Sequence, residues 1–161
     1  MARPERPLTC LETSVRPDWV DYNDHMNDSA YGVVFGEAID VLIEWLGLDA
    51  GARAEHGYTM FTLETHIRYL REAHEGQALV VDAALVEHDL KRLHLLLALR
   101  DAATHDELAT SEYMLMGMDT AAGRPAPFPA PIAAGVERLR RDHGCPEWPA
   151  EAGRAIGIRR K

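Results

Sequence analysis

One stretch, 29–46 (SAYGVVFGEAIDVLIEWL), decides more about this chain than any other. Its only charged residues, Glu37, Asp40 and Glu44, stand three and four apart and so share one narrow stripe of a helix. Tyr31, Val33, Val34, Phe35, Ala38, Ile39, Val41, Leu42, Ile43, Trp45 and Leu46 are apolar. Asn27, Asp28 or Ser29 suits the cap, and Gly47 suits the stop. A helix this apolar must be mostly buried. At about 1.5 Å per residue it is roughly 27 Å long, so only a large curved cover encloses it.

The cover follows in the sequence. Residues 8–16 read as a strand that ends at Pro17. Residues 58–70 alternate with period two, which means strand. That alternation puts Phe61, Leu63, Ile67 and Tyr69 on one side and Thr62, Glu64, His66 and Arg68 on the other. Residues 78–87, 91–100 and 107–118 give three more strands joined by short turns, the pattern of an antiparallel meander. The leucine run at 93–99 also fits a helix on its own. After a Pro-rich passage, Ile132, Val136 and Leu139 mark an amphipathic helix over about 131–143. The tail, Ile156 to Lys161, is basic and expected to be loose. The fold class is therefore α+β: a curved antiparallel sheet wrapped around one long buried helix. A single domain over 1–161, with its core at about 8–120, suits the length.

Composition narrows the function. The net charge of -9 argues against a general nucleic-acid binder. It leaves room for a local basic patch facing a phosphorylated ligand, with Arg68, Arg71, Lys91 and Arg92 as candidates. No run approaches the about 18 apolar residues of a membrane span. The start, MARPERPLTC, has no apolar core of a signal peptide. Two distant cysteines, Cys10 and Cys145, do not form a disulfide scaffold. A cytoplasmic protein without membrane or nucleic-acid partners is expected.

The densest ionisable cluster, Asp18 to Asp28, lies just before the long helix. A helix N-terminus offers free N–H groups and a positive dipole end, which suit an oxyanion. Asp21 or Asp24 beside it suits a nucleophile or general base. His25 or Asn27 suits the orientation of a water or of that carboxylate. A plain capping loop with solvated charges is the alternative. Asp21, Asn23 and His25 alternate like the start of a calcium loop. However, Met26 replaces the required Gly, and Gly32 stands where a Glu belongs. No metal site is expected. G-x-S-x-G, G-x-G-x-x-G and P-loop patterns are missing, which argues against serine-hydrolase, dinucleotide and kinase chemistry. Glu64, His66 and Arg68 share one strand face, which either is solvated or lines a cleft or subunit interface.

VRPDWVDYNDHMNDSAYGVVFGEAID resembles the first half of the 4-hydroxybenzoyl-CoA thioesterase branch of the hotdog-fold superfamily. That branch carries an Asp, a His, an Asn and a Tyr in the first helical turn, matched here by Asp21, His25, Asn27 and Tyr31. IRYLREAHEGQALVV resembles the branch's next strand and the Gly that follows it. Many relatives have a Gly just before the His, where this chain has Asp24. The resemblance implies a homodimer or tetramer with active sites at the subunit interface, an acyl-CoA substrate, and no metal or redox cofactor. It implies Asp21 as the catalytic carboxylate, the Asp28 N–H as oxyanion donor, and Glu64 and His66 near the partner's helix. WVDYNDHMN, ETHIRYLRE and KRLHLLLALR are similar to a subgroup of betainyl-CoA thioesterases of carnitine catabolism. For a trimethylammonium acyl group, Trp19, Tyr22 and Tyr31 are the aromatic candidates and Trp45 a weaker one. A hotdog hydratase or dehydratase using Glu64 and His66 is the alternative enzyme. A non-catalytic acyl-CoA-binding module is the alternative of another class.

Overall fold

The structure is a computed structural model that describes residues 6–160. The first five residues, part of the stretch read as lacking a signal peptide, and Lys161 of the basic tail lie outside the described residues. The strands are β1 (Leu8–Ser14), β2 (Tyr58–Tyr69), β3 (Ala78–His88), β4 (Arg92–Asp101), β5 (Glu107–Asp119) and the short β6 (Arg124–Pro125). The helices are α1 (Asp28–Trp45), α2 (Ala50–His56) and α3 (Ala130–His143). The main sheet runs β1-β3-β4-β5-β2, with every pair antiparallel and β6 beside β5. It curls around α1, which is the hotdog architecture.

Alternation along β4 shows how the sheet divides its two faces. Leu93, Leu95, Leu97 and Leu99 point inward and join Val34, Phe35, Ala38, Ile39 and Leu42 of α1 in one core. His94, Leu96 and Ala98 point outward, yet they are buried as well. The segment after α3 lies against this face at His94. Cys145 N–H donates to the Leu85 carbonyl at 2.7 Å, and the Trp148 ring stands edge-on to His94 at 5.2 Å. A strand buried on both faces carries a continuous apolar run. The strand reading of 93–99 holds over the helical one for this reason.

Three expectations need correction. The exposed face of α1 is wider than the narrow charged stripe expected, because Val33 and Val41 are exposed beside Glu37, Asp40 and Glu44. The sequence reading assigned no element at 50–56, where Asp49 caps the short α2 by accepting from the Ala52 N–H. In β2 the register shifts between Thr62 and Glu64. Before the shift Tyr58 and Met60 are buried in the core, and after it Ile67 and Tyr69 face α1. Phe61 and Leu63 are therefore half exposed on an edge strand instead of sharing the core face. A bulge reverses inward and outward positions, and strict period two misses it.

α3 closes the end of the barrel near the C-terminus of α1. Gly135 lies so close to the Leu46 carbonyl that an added Cβ would stand 2.2 Å from its oxygen. Ile132, Val136 and Leu139 of α3 are buried there, as their spacing suggested. Ile156 and Ile158 in the tail are exposed.

Candidate active site

The loop before α1 is folded by its own polar groups. Asp21 N–H donates to the His25 carbonyl at 3.0 Å, and Asn23 N–H to Asp21 Oδ1 at 2.8 Å. Asp24 sits at the tip with φ of 60°, a left-handed conformation that Gly takes most easily and Asp tolerates. This accounts for the Gly that the resemblance leads one to expect there. Asn27 caps α1, with Oδ1 accepting from the Ala30 N–H at 3.0 Å. Its Nδ2 donates to the Trp19 carbonyl at 2.6 Å. The Asn27 amide is thus committed to the cap, and the expectation that it orients a water or carboxylate is corrected.

An open cleft of about 330 Å³ lies beside the α1 N-terminus, lined by Asp21, His25, Asp28, Tyr31, Tyr69 and Glu72, among others. Asp21 lines it and Asp24 does not. The Tyr31 and Tyr69 rings meet edge to face at 5.1 Å. Tyr31 Oη donates to the Arg71 carbonyl and Tyr69 Oη to the Asp28 carbonyl, each at 3.2 Å. Burial, then the other tyrosine, raises the Tyr31 hydroxyl above its ordinary value; burial, then the Asp28 charge, raises that of Tyr69. Both therefore stay protonated donors. His25 Nε2 faces Glu72 Oε2 at 3.1 Å, and its ring stands edge-on to His74 at 5.1 Å. Asp28 is exposed, and its first-turn N–H has no intrahelical partner, as in any helix.

The other candidates are dispersed. Trp19 is buried with the Arg16 guanidinium 5.0 Å above its ring, so no ligand cation reaches that face. Tyr22 is 94% exposed and forms no wall of the cleft. Trp45 holds Arg138 over its ring at 3.9 Å at the far end of α1. The expected Trp19–Tyr22–Tyr31 group is thus not assembled within one chain; Tyr69 accompanies Tyr31 instead. Glu64 and His66 lie on the outer sheet face, in a recess shared with His94, Glu112 and Trp148. They do not reach the cleft of their own subunit. Arg68 alternates with them; burial, then the charges of Arg159 and Arg68, holds the Arg154 guanidinium below its ordinary value.

Arg71 lines the cleft and pairs with Asp106 at 2.9 Å. Lys91 and Arg92 sit at the opposite end of the sheet. Arg92 pairs with Met116 of β5, whereas Tyr69 pairs with Ala109. That separation along β5 is about 23 Å at about 3.3 Å per residue. Arg92 also binds Asp89 at 2.6 Å, so within one chain it is a hairpin contact. Sequence reasoning missed Tyr69, Glu72 and His74 as site residues. Tyr69 was legible only as a strand position, because its approach to Tyr31 depends on the bulge. Cys10 is buried, which raises its thiol to about 12 and makes it a structural group.

A thioesterase-like superfamily model matches residues 15–136. The chain belongs to that family. A betainyl-CoA thioesterase of Pseudomonas aeruginosa is 42% identical over 151 residues, covering 94% of this chain and 95% of the relative. An L-carnitine dehydrogenase/betainyl-CoA thioesterase of Rhizobium meliloti is 40% identical over 96% of this chain. The chain spans 31% of that relative's length. A Staphylococcus aureus protein solved in complex with CoA superposes with a TM-score of 0.88 at 29% identity, covering 99% of this chain and 98% of that one. No helix among the described residues is long and apolar enough to cross a membrane.

Proposed function

We propose that this chain hydrolyses a small acyl-CoA, betainyl-CoA, to the free acid and coenzyme A. The observation that carries the reading is the placement of Asp21 and the Tyr31–Tyr69 pair in one cleft at the capped N-terminus of α1. The names of the relatives support the substrate.

In this reading the thioester carbonyl oxygen meets the first-turn N–H groups of α1, Asp28 first. Those dipoles stabilise the negative charge that develops on the oxygen when water attacks. Asp21 takes the proton from that water, the tetrahedral intermediate collapses, and the C–S bond breaks to release the CoA thiolate. A quaternary ammonium has no hydrogen to donate. Aromatic faces and nearby carboxylates hold it, and Tyr69 with Asp28 and Glu72 supplies both. Arg71 is the basic residue of the cleft available to a CoA phosphate. The reading includes a homodimer closed along β2, whose exposed Phe61 and Leu63 stand on an unpaired edge. It also includes a cytoplasmic setting and a place in carnitine catabolism. Within one subunit the hydratase alternative has no acid–base pair at this cleft, because Glu64 and His66 lie on the other face of the sheet.

The test is thiol release from betainyl-CoA, its uncharged 3,3-dimethylbutanoyl counterpart and palmitoyl-CoA. The cationic substrate is expected to give the highest kcat/KM. Equal turnover of the neutral thioesters refutes the cationic site and leaves thioester hydrolysis standing. Binding without thiol release refutes hydrolysis.

A further inference from the structure

Two loops form adjoining walls of the cleft, and three ligating side chains face one another across their junction. His25 belongs to the loop before α1, and Glu72 and His74 to the loop after β2. One ligand atom from each lies within 4.8 Å of the other two. Among the described residues, no other group of three histidine, cysteine or acidic side chains meets that condition. The backbone between them is fixed, because Met26 N–H donates to the Ala73 carbonyl at 2.8 Å. His25 and His74 therefore flank a hydrogen bond that ties the loops together. A neutral His74 that donates Nδ1–H to the Asp24 carbonyl, 3.4 Å away, presents Nε2 as a lone pair. Such a second partner on the ring is how ligating histidines are commonly oriented.

We infer that His25, Glu72 and His74 form a binding site for a divalent transition-metal ion of the zinc class. Two imidazoles and one carboxylate are a donor set for zinc and its neighbours in the first row, whereas calcium and magnesium prefer all-oxygen ligands. Glu72 and His74 are exposed, so rotation about their side chains brings the donors to bonding distance without moving the backbone. Water fills the remaining positions on the cleft side. The inference contradicts the sequence expectation of no metal. That expectation rested on patterns along the sequence, whereas two of these ligands lie almost fifty residues further on. It does not depend on the hydrolytic reading.

The experiment uses the full-length protein stripped with a chelator and then titrated with zinc chloride by calorimetry, with the melting temperature followed in parallel. One ion per chain is expected, with a rise in melting temperature, since binding to the folded state alone stabilises it. His74→Ala and Glu72→Gln are each expected to weaken binding at least about tenfold, the lower end of what even indirect ligand support is worth. Far-UV circular dichroism of both variants is expected to match the parent, because neither side chain is in the core. Zinc binding that both variants leave unchanged assigns the ion to other surface histidines and overturns the inference. Absence of binding to the parent protein overturns it as well.

Discussion

Asn27 and Trp19 are joined twice at one atom: the Asn27 N–H and side-chain Nδ2 both donate to the Trp19 carbonyl, at 2.8 and 2.6 Å. The seven residues of loop 20–26 are closed by this pair, and the same Asn27 side chain starts α1 through Oδ1. The position of Asp21 beside the helix N-terminus follows from that closure.

Asn27→Ala removes the cap and the side-chain bond to Trp19 together. A lost cap costs about 0.5–2 kcal/mol, and a lost hydrogen bond adds about 1. Urea unfolding is expected to show a loss of about 2 kcal/mol at unchanged m-value. Asn27→Asp keeps an acceptor for the Ala30 N–H and is expected to lose roughly half as much. Equal losses would show that the cap contributes little.

Asp21 and Asp24 are separated by their surroundings, one in the cleft wall and the other at the loop tip. Asp21→Asn is expected to lower kcat at least about a hundredfold, the low end for a general base, at unchanged melting temperature. Asp24→Gly is expected to keep kcat. It relieves the left-handed conformation and changes stability by at most about 1 kcal/mol, because Gly also gives the unfolded chain more freedom. Steady-state kinetics on both variants check the assignment, and a larger loss from Asp24→Gly would reverse it.

The sequence made the framework legible because each main element carries its own period. The apolar helix begins at Asp28 where the reading began it at Ser29, and the four long strands agree to within a residue or so at each end. The site was legible as a segment but not as an assembly. Trp19 looked like a ligand face because nothing local announced that Arg16 would cover it. Tyr69 became a site residue through a bulge six residues earlier, and Glu64 with His66 were turned outward by the same bulge. The outer face of β4 was another gap. At His94 that face meets a segment around Trp148 that has no periodicity to read.

Tyr69 supplies the exposed aromatic surface of the cleft, and Trp19 does not. A cation–π contact contributes about 0.5–2 kcal/mol, or roughly two- to thirtyfold in discrimination. Tyr69→Ala is therefore expected to lower kcat/KM for betainyl-CoA by that factor relative to its neutral counterpart. Trp19→Phe is expected to reduce stability and leave the ratio of the two substrates unchanged. Competition kinetics with the paired substrates read the ratio directly, free of errors in enzyme concentration. A ratio that moves with Trp19 and not with Tyr69 would refute the aromatic assignment.

His94 lies on the outer sheet face between two carboxylates, with Nε2 at 2.6 Å from Glu112 Oε1 and Nδ1 at 3.2 Å from Glu87 Oε1. Glu112 also accepts the Gly153 N–H, at 2.8 and 3.0 Å, and so holds the C-terminal segment against the sheet. Both His94 and Glu112 have little solvent exposure, so water does not replace a missing partner well. Breaking a buried pair on one side leaves the other charge uncompensated and costs about 3–5 kcal/mol. Glu112→Ala is expected at the lower end, about 3 kcal/mol, because Glu87 remains beside the ring. It also removes the acceptor of Gly153, so the segment beyond Trp148 loses its polar anchor. Limited trypsin digestion is expected to cleave after Arg154 faster in Glu112→Ala than in the parent, with the rest of the chain resistant. Glu87→Ala, at the more exposed carboxylate, is expected to cost less and to leave the Arg154 cleavage rate unchanged. Equal protection of Arg154 in all three proteins would mean that Trp148 packing alone holds the segment down.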